Sequence, residues 1–265
     1  MSNYQFIKAA ASELADMKRQ HLEQLTAPLD DMWAYFIAAA DHYSIIIGNK
    51  TIGYCAVNSE QKLLQFYAIG AYDLHPVFGE LLSQLSVTGA VVATSDSQLL
   101  SLCMDHQKSV AVNTLMYHMD KKTPIEEPAF PMGAQFKAVK TEDFAIAVDF
   151  AVDTLAVDRN WLEGYFSDLI KDEKLFGLWQ GGALIATGEC RASDMQKPYA
   201  NVGMVVSKNH RRQAIATNIL RRLIHLCNEK GLKPICSTEA GNIGAQKAIV
   251  KAGFSSHHRI LDIIF

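Results

Sequence analysis

Apolar residues recur along this chain at two spacings: every second position in short runs, and every third or fourth in longer ones. The first spacing marks half-buried strands and the second marks amphipathic helices. From Ala134 onward the two kinds of run alternate clearly. "AQFKAVK" alternates as a strand. "TEDFAIAVDFAVDTL" opens on a threonine able to cap a helix, with glutamate in its first turn. "DRNWLEGYFSDLIKDE" predicts a second helix. "KLFGLWQGGALIATGECRA" predicts two strands joined at Gly-Gly, a hairpin signal, and "YANVGMVVS" predicts another strand. A long helix over Gln213–Glu229 follows. It places Ile215, Ile219, Leu223, Leu226 and Cys227 on one face, with Gly231 as a C-terminal cap. "KPICSTEA" predicts a buried strand. "NIGAQKAIVKA" predicts a short helix capped by Asn242 and ended by Gly253, and "SHHRILDIIF" a final strand. The order is β-α-α-β-β-β-α-β-α-β, a mixed sheet with helices on its faces.

The first half carries a partial echo. "YSIIIGNKTIGYCAV" reads as strand, turn, strand. "KLLQFYAIG" is a strand, "LHPVFGELLSQL" a helix, "GAVVATS" a strand and "DSQLLSLCMD" a short helix. The segments "VATSD" and "CSTEA" hold equivalent places, so the expectation is one duplicated architecture, the alternative being two α/β units that merely look alike. The first 25 residues show helical spacing throughout. Between the halves, "DKKTPIEEPAFPMG" holds three of the seven prolines and predicts an extended linker. The expected boundaries are a domain over 1–120, a linker over 121–133 and a second domain over 134–265.

Composition narrows the function. With 49% hydrophobic and 20% charged residues, the 265-residue chain can fill packed cores. A net charge of −3 gives no global basic field to draw nucleic acid or anionic membrane, so any anion site must be local. No apolar run approaches the roughly 18–20 residues a spanning helix needs, and the N-terminal segment lacks the pattern of a signal peptide. The five cysteines are scattered, with no Cys-x-x-Cys pair. Neither a zinc site nor a disulfide framework is indicated. The expectation is a cytoplasmic protein without metal, nucleic-acid or membrane partners. Cys190 and Cys236 read as core residues, and His257 and His258 as surface or edge residues.

One junction stands out, "VGMVVSKNHRRQAIATNILRR". A strand containing Met204, Val205 and Val206 runs through paired arginines into the long helix. Helix N-termini expose unpaired N–H groups and bind anions. Arg211, Arg212, Gln213, Ala214, Ile215, Ala216 and Thr217 therefore form a candidate diphosphate site. The segment resembles the coenzyme A loop of the GNAT acyltransferase superfamily, Gln/Arg-x-x-Gly-x-Gly/Ala, at Arg211, Ala214 and Ala216. Ala214 stands where glycine is usual. If the position requires a positive φ, alanine costs roughly a kcal/mol or more there. Downstream, "NIGAQKAIVKAGF" resembles the superfamily's Asn…Gly-Phe ending at Asn242, Gly253 and Phe254. The resemblance covers residues 134–265 and implies that Asn242 contacts the pantetheine arm. It also implies that Ile249 occupies the place of the usual tyrosine acid. The first half has "YDLHPVFGELL" where the loop would be. It lacks the arginines, as in two-domain bacterial members with a degenerate first copy, and no cofactor is expected there.

The resemblance thus implies an α/β (α+β) protein of two GNAT-like mixed-sheet domains, each with helices on both faces. It implies acetyl-CoA as co-substrate and transfer of the acetyl group to a primary amine by direct attack. A strand N–H within Met204–Val206 would polarise the thioester carbonyl. Glu189 is the first candidate base and Glu239 the second, with Tyr199 as a candidate acid. Asp153, Asp158 and Glu163 could attract a cationic acceptor, although they read first as a solvated helix face, and Trp161 either lines its pocket or fills the core. Arg221 and Arg222 read as a solvated helix face. The first domain would shape the acceptor cleft or a homodimer contact. A non-catalytic acyl-CoA sensor is the alternative, prompted by Ala214 and Ile249.

Overall fold

The computed structural model describes residues 4–70, 72–119, 124–155 and 157–265. Both halves run through one element order. The first half comprises β1 (Tyr4–Lys8), α1 (Ala15–Gln24), α2 (Asp31–Ala38), β2 (Asp41–Ile47), β3 (Lys50–Val57), β4 (Lys62–Ala68), α3 (Leu74–Gln84), β5 (Gly89–Ala93), α4 (Ser97–Met104) and β6 (Ser109–Met119). The second half repeats it with β7 (Gln135–Ala138), α5 (Phe144–Leu155), α6 (Arg159–Lys171), β8 (Leu175–Gln180), β9 (Ala183–Ala192), β10 (Tyr199–Val206), α7 (Ile215–Glu229), β11 (Lys233–Glu239), α8 (Ile243–Lys251) and β12 (Phe254–Ile264). The periodicities of the second half all become elements of the expected type. In the first half the sequence reading missed β1, α2 and β6. β1 owes its strand to antiparallel pairing with β2, from Tyr4↔Ile47 to Lys8↔Tyr43, which overrides its helical spacing.

The chain forms two compact units, Met1–Met116 with Ser256–Phe265, and Tyr117–Ser255. The second domain was expected over 134–265, so the last ten residues fall in the other unit. The reason is strand pairing: β12 runs antiparallel to β5, from Ile260↔Ala93 to Ile264↔Gly89. Neither strand carries a local signal naming its partner, because such pairing is non-local.

The first unit packs Phe66, Phe78, Leu81, Val92 and Ile263 into its main core. β4 and β5 pair in parallel only at Lys62↔Gly89 and Leu63↔Ala90. Buried polar side chains lie on the strands and helices beyond that point. His21 Nε2 is 2.7 Å from Asp96 Oδ2 and its Nδ1 is 2.9 Å from the Tyr54 hydroxyl. The Gln98 amide oxygen accepts the Ala68 N–H (3.3 Å). At the head of α3, Asp73 accepts the His75 N–H (3.2 Å) and caps the helix.

The second unit has strand order β11-β10-β9-β8-β7. α5 and α6 cover one face of its sheet, where Val148, Leu162, Phe166 and Leu175 cluster. α7 covers the other, where a Cβ on Gly188 would meet Ile219 and Leu223. The buried face of α7 follows the expected spacing at Ile215, Ile219, Leu223 and Cys227, while Leu226 is only half-buried. The helix starts at Ile215, two residues later than its periodicity predicts, because Ala214 is left-handed (φ 60°, ψ 5°). α5 is preceded by a 3-10 turn over Thr141–Asp143. Asp143 there accepts the Lys140 N–H (3.3 Å), so Thr141 is not the cap.

Residues 124–131 belong to no helix or strand; linker residues 121–123 lie outside the described residues. Asn218 fastens this segment to α7 through Ala129, donating to its carbonyl (2.6 Å) and accepting its N–H (3.2 Å). Arg221 pairs with Glu126 and donates to the Lys251 carbonyl (3.3 Å). It is therefore not the freely solvated charge expected of it.

Candidate active site

Parallel pairing between β10 and β11 runs only from Tyr199↔Lys233 to Asn201↔Ile235. Beyond Asn201 both strands continue without each other, and β10 keeps its other neighbour, β9, as far as Val206↔Ala186. Main-chain groups alternate sides along a strand. The Lys233 N–H donates to the Pro198 carbonyl on the β11 side, whereas the Ser207 N–H donates to the Ile185 carbonyl on the β9 side. Even-numbered residues of β10 therefore aim their main-chain groups toward β11. Past the last pair, those of Met204 and Val206 face the gap.

The chain then turns through Arg211–Ala214 into α7. Arg212 (φ 61°) and Ala214 (φ 60°) are both left-handed, an uncommon state for residues bearing a Cβ. No side chain caps the helix, and the first bond within it is Asn218 N–H to the Ala214 carbonyl (3.0 Å). The N–H groups of Ile215, Ala216 and Thr217 thus lie ahead of the helical ladder, at the positive end of its dipole. The Arg211 Nε donates back to the Val206 carbonyl (3.4 Å), linking loop and strand edge.

A cavity of about 650 Å³ opens here. Of the eleven residues proposed for cofactor binding, ten line it: Met204, Val205, Val206, Arg211, Arg212, Ala214, Ile215, Ala216, Thr217 and Asn242. Gln213 does not, because its amide turns back to the Asn209 carbonyl (3.5 Å). Asn242 caps α8 by accepting the Ala245 N–H (3.1 Å), which fixes its side chain at the cavity wall. Sequence reasoning missed Thr154, Leu155, His210, Lys247 and Lys251, which also line the cavity. The lining includes no carboxylate. Once "NIGAQKAIVKA" reads as a helix capped by Asn242, the i, i+4 spacing of Lys247 and Lys251 puts both on one face.

None of the three catalytic candidates lines this cavity. They differ in how near they come. Glu189 on β9 is paired with Gly203, one residue before Met204. A Cβ on Gly203 would sit 2.8 Å from Glu189 Oε1, so the carboxylate lies across the bare glycine. Two further groups hold it there: the Tyr165 hydroxyl donates to Oε2 (2.7 Å), and Arg191 lies 3.4 Å from Oε1. Tyr165 in turn stacks on Trp161, with ring centroids 5.0 Å apart, and the Arg191 guanidinium lies over the Tyr165 ring at 5.8 Å from its centroid. Tyr165 was not foreseen; nothing in the sequence alone sets α6 over β9. Tyr199 starts β10, at the end away from the cavity. About 16 Å of strand separates it from Met204, and the Lys233 ammonium sits 5.7 Å from its ring. Glu239 is exposed at the end of β11, where its carbonyl accepts the Asn242 N–H (3.0 Å).

The acidic residues expected to draw a cationic acceptor are partly engaged. Asp158 caps α6 through the Trp161 N–H (2.9 Å), and Glu163 pairs with Arg159 at 3.5 Å. Ile249 is buried and apolar at the position of the usual acid. Cys190 is buried 3.5 Å from Cys227, sulfur to sulfur. Among the described residues no group of side chains could hold a metal ion, and no helix is long and apolar enough to cross a membrane.

Comparison with known proteins gives a consistent result. An acetyltransferase (GNAT) domain model matches residues 10–120, and the acetyltransferase (GNAT) family model matches residues 141–254. Comparison with curated proteins found no match. Among solved structures, an acetyltransferase from the GNAT family of Colwellia psychrerythraea is 34% identical over the whole of both chains, with a TM-score of 0.92. A GCN5-related N-acetyltransferase from Sphaerobacter thermophilus is 13% identical, covering 99% of this chain and 96% of its own, with a TM-score of 0.74. A tandem GNAT protein from the clavulanic acid biosynthesis pathway is also 13% identical, covering 98% and 97%, with a TM-score of 0.69. The last two likenesses are of fold alone.

Proposed function

This chain belongs to the GNAT acetyltransferase family, with two such domains in tandem, and from that premise we propose that its second unit transfers an acetyl group from acetyl-CoA to a primary amine. The observation that carries the reading is the uncapped head of α7, which meets the open edge of β10 in a cavity without carboxylates.

In this reading the diphosphate of acetyl-CoA accepts from the N–H groups of Ile215, Ala216 and Thr217, and Arg211 and Arg212 supply local positive charge. The pantetheine arm follows the gap beside β10, along the wall that Asn242 helps to form. A main-chain N–H of Met204 or Val206 polarises the thioester carbonyl, which becomes more negative as the amine attacks. Glu189, across Gly203, takes the proton from the incoming ammonium. The C–N bond forms, the C–S bond breaks, and the departing thiolate takes the proton that the nitrogen sheds, through solvent, since Ile249 offers none. Held side by side in the cavity, the reactants would gain from orientation before any acid–base assistance.

The first unit offers no equivalent grip. Asp73 caps α3 where the second unit leaves α7 open, and its carboxylate would repel a diphosphate. We therefore assign one acyl-CoA to each chain.

The test is release of free thiol from acetyl-CoA across a panel of primary amines. Amine-dependent release supports the reading. Tight binding of acetyl-CoA with no turnover on any amine would overturn it.

A further inference from the structure

Ten of the cavity's lining residues belong to the strand edge, the loop and the head of α7, but α8 contributes a second wall. Gly244, Ala245 and Ala248 on that wall are small, and Lys247 and Lys251 project among them. The lysines are four residues apart, so they share one helix face with their Cβ atoms about 5–6 Å apart. Both are exposed, and among the described residues neither is ion-paired. α8 is fastened to the start of α7 where the Thr217 hydroxyl donates to the Ala248 carbonyl (3.4 Å). The cavity therefore carries two separate cationic groups, Arg211 and Arg212 at the loop and Lys247 and Lys251 on the helix, in a chain whose net charge is −3.

A diphosphate held by the head of α7 accounts for the first group and leaves the second without a function. We propose that Lys247 and Lys251 form a second anion subsite, which takes a phosphomonoester on the nucleotide end of the bound ligand. This rests on the reading of acyl-CoA as that ligand; its 3′-phosphate is the group required. A phosphomonoester carries about −1.5 to −2 charges near pH 7 and presents three acceptor oxygens. Two ammonium groups one helical turn apart can both reach it, each as a point charge with three donors. Gly244, Ala245 and Ala248 beside them leave room for the adenosine against α8. The subsite would make the protein select coenzyme A over its 3′-dephospho form, at a step separate from the chemistry.

Calorimetric titration of the full chain with coenzyme A and with 3′-dephospho-coenzyme A tests this. The unmodified protein should bind coenzyme A at least tenfold more tightly, with a preference that shrinks as salt is raised. In the Lys247→Ala/Lys251→Ala double variant the preference should vanish, while affinity for the dephospho form stays within about twofold. Equal affinity of the unmodified protein for the two ligands would overturn the subsite while leaving acyl-CoA binding intact. So would a double variant that keeps the preference. Binding of neither ligand would instead sink the acyl-CoA reading itself, and the subsite with it.

Discussion

Ala214 holds a backbone conformation that costs an L-residue roughly 1–2 kcal/mol, and it does so at the entrance to α7 (φ 60°). The position is exposed. Ala214→Gly should therefore raise stability by about 0.5–1 kcal/mol, after allowance for the greater freedom glycine has in the unfolded chain. Urea denaturation reads this directly, and a loss of stability would contradict the left-handed assignment. The carboxylate of Glu189 depends on a second small residue. Gly203→Ala would place a methyl 2.8 Å from Oε1 and displace it from the strand. Both Gly203→Ala and Glu189→Gln should lower kcat at least tenfold with acetyl-CoA affinity unchanged. A fully active Glu189→Gln variant would move the base elsewhere. The sequence marked Glu189 as a strand residue beside an apolar strand, which is why it could be named. The Tyr165 hydroxyl and the Arg191 guanidinium that hold it could not be named, because the packing of α6 on β9 is a tertiary fact.

At the scale of elements, the head of α7 and the head of α3 make opposite choices. α7 leaves its first N–H groups open beside two arginines, whereas α3 spends an aspartate on its own cap. The sequence made this contrast legible, since one segment reads Arg-Arg-Gln-Ala and the other Tyr-Asp-Leu-His. Arg211→Glu should weaken acetyl-CoA binding at least tenfold, and an unchanged affinity would reduce the arginine to a surface charge. The first unit offers a separate test where α1 meets β2. The Lys18 ammonium lies 2.8 Å from His42 Nε2. Burial, and then that ammonium, hold the His42 imidazole below its ordinary value of 6.5. Above pH 6.5 the ring is neutral both folded and unfolded. Below it the unfolded chain takes up the proton first, so stability falls as pH drops through that window. The fall between pH 7 and 5 should be smaller in His42→Gln than in the unmodified protein; an equal or steeper fall would remove His42 from the account.

Over the whole molecule, the repeated element order was readable because each element of the second half has its own period and its own punctuation, such as Gly181-Gly182 in the hairpin and Gly231 after α7. What escaped was pairing between distant segments. β1 needs β2 to become a strand, and β12 joins β5 by pairing Ile264 with Gly89, 175 positions away in sequence. The two units also differ in what surrounds their parallel pairs. The first holds a buried hydrogen-bonded group of His21, Tyr54 and Asp96, whereas beyond the last β10–β11 pair of the second lies the cavity. Titration should accordingly give one acetyl-CoA per chain, and a stoichiometry of two would contradict the cap on α3 as a barrier. The most direct measurement is a crystal structure of the full chain with acetyl-CoA. The account predicts the diphosphate within about 2.7–3.2 Å of the main-chain nitrogens of Ile215, Ala216 and Thr217. A nucleotide bound anywhere else, with those nitrogens turned to water, would contradict it.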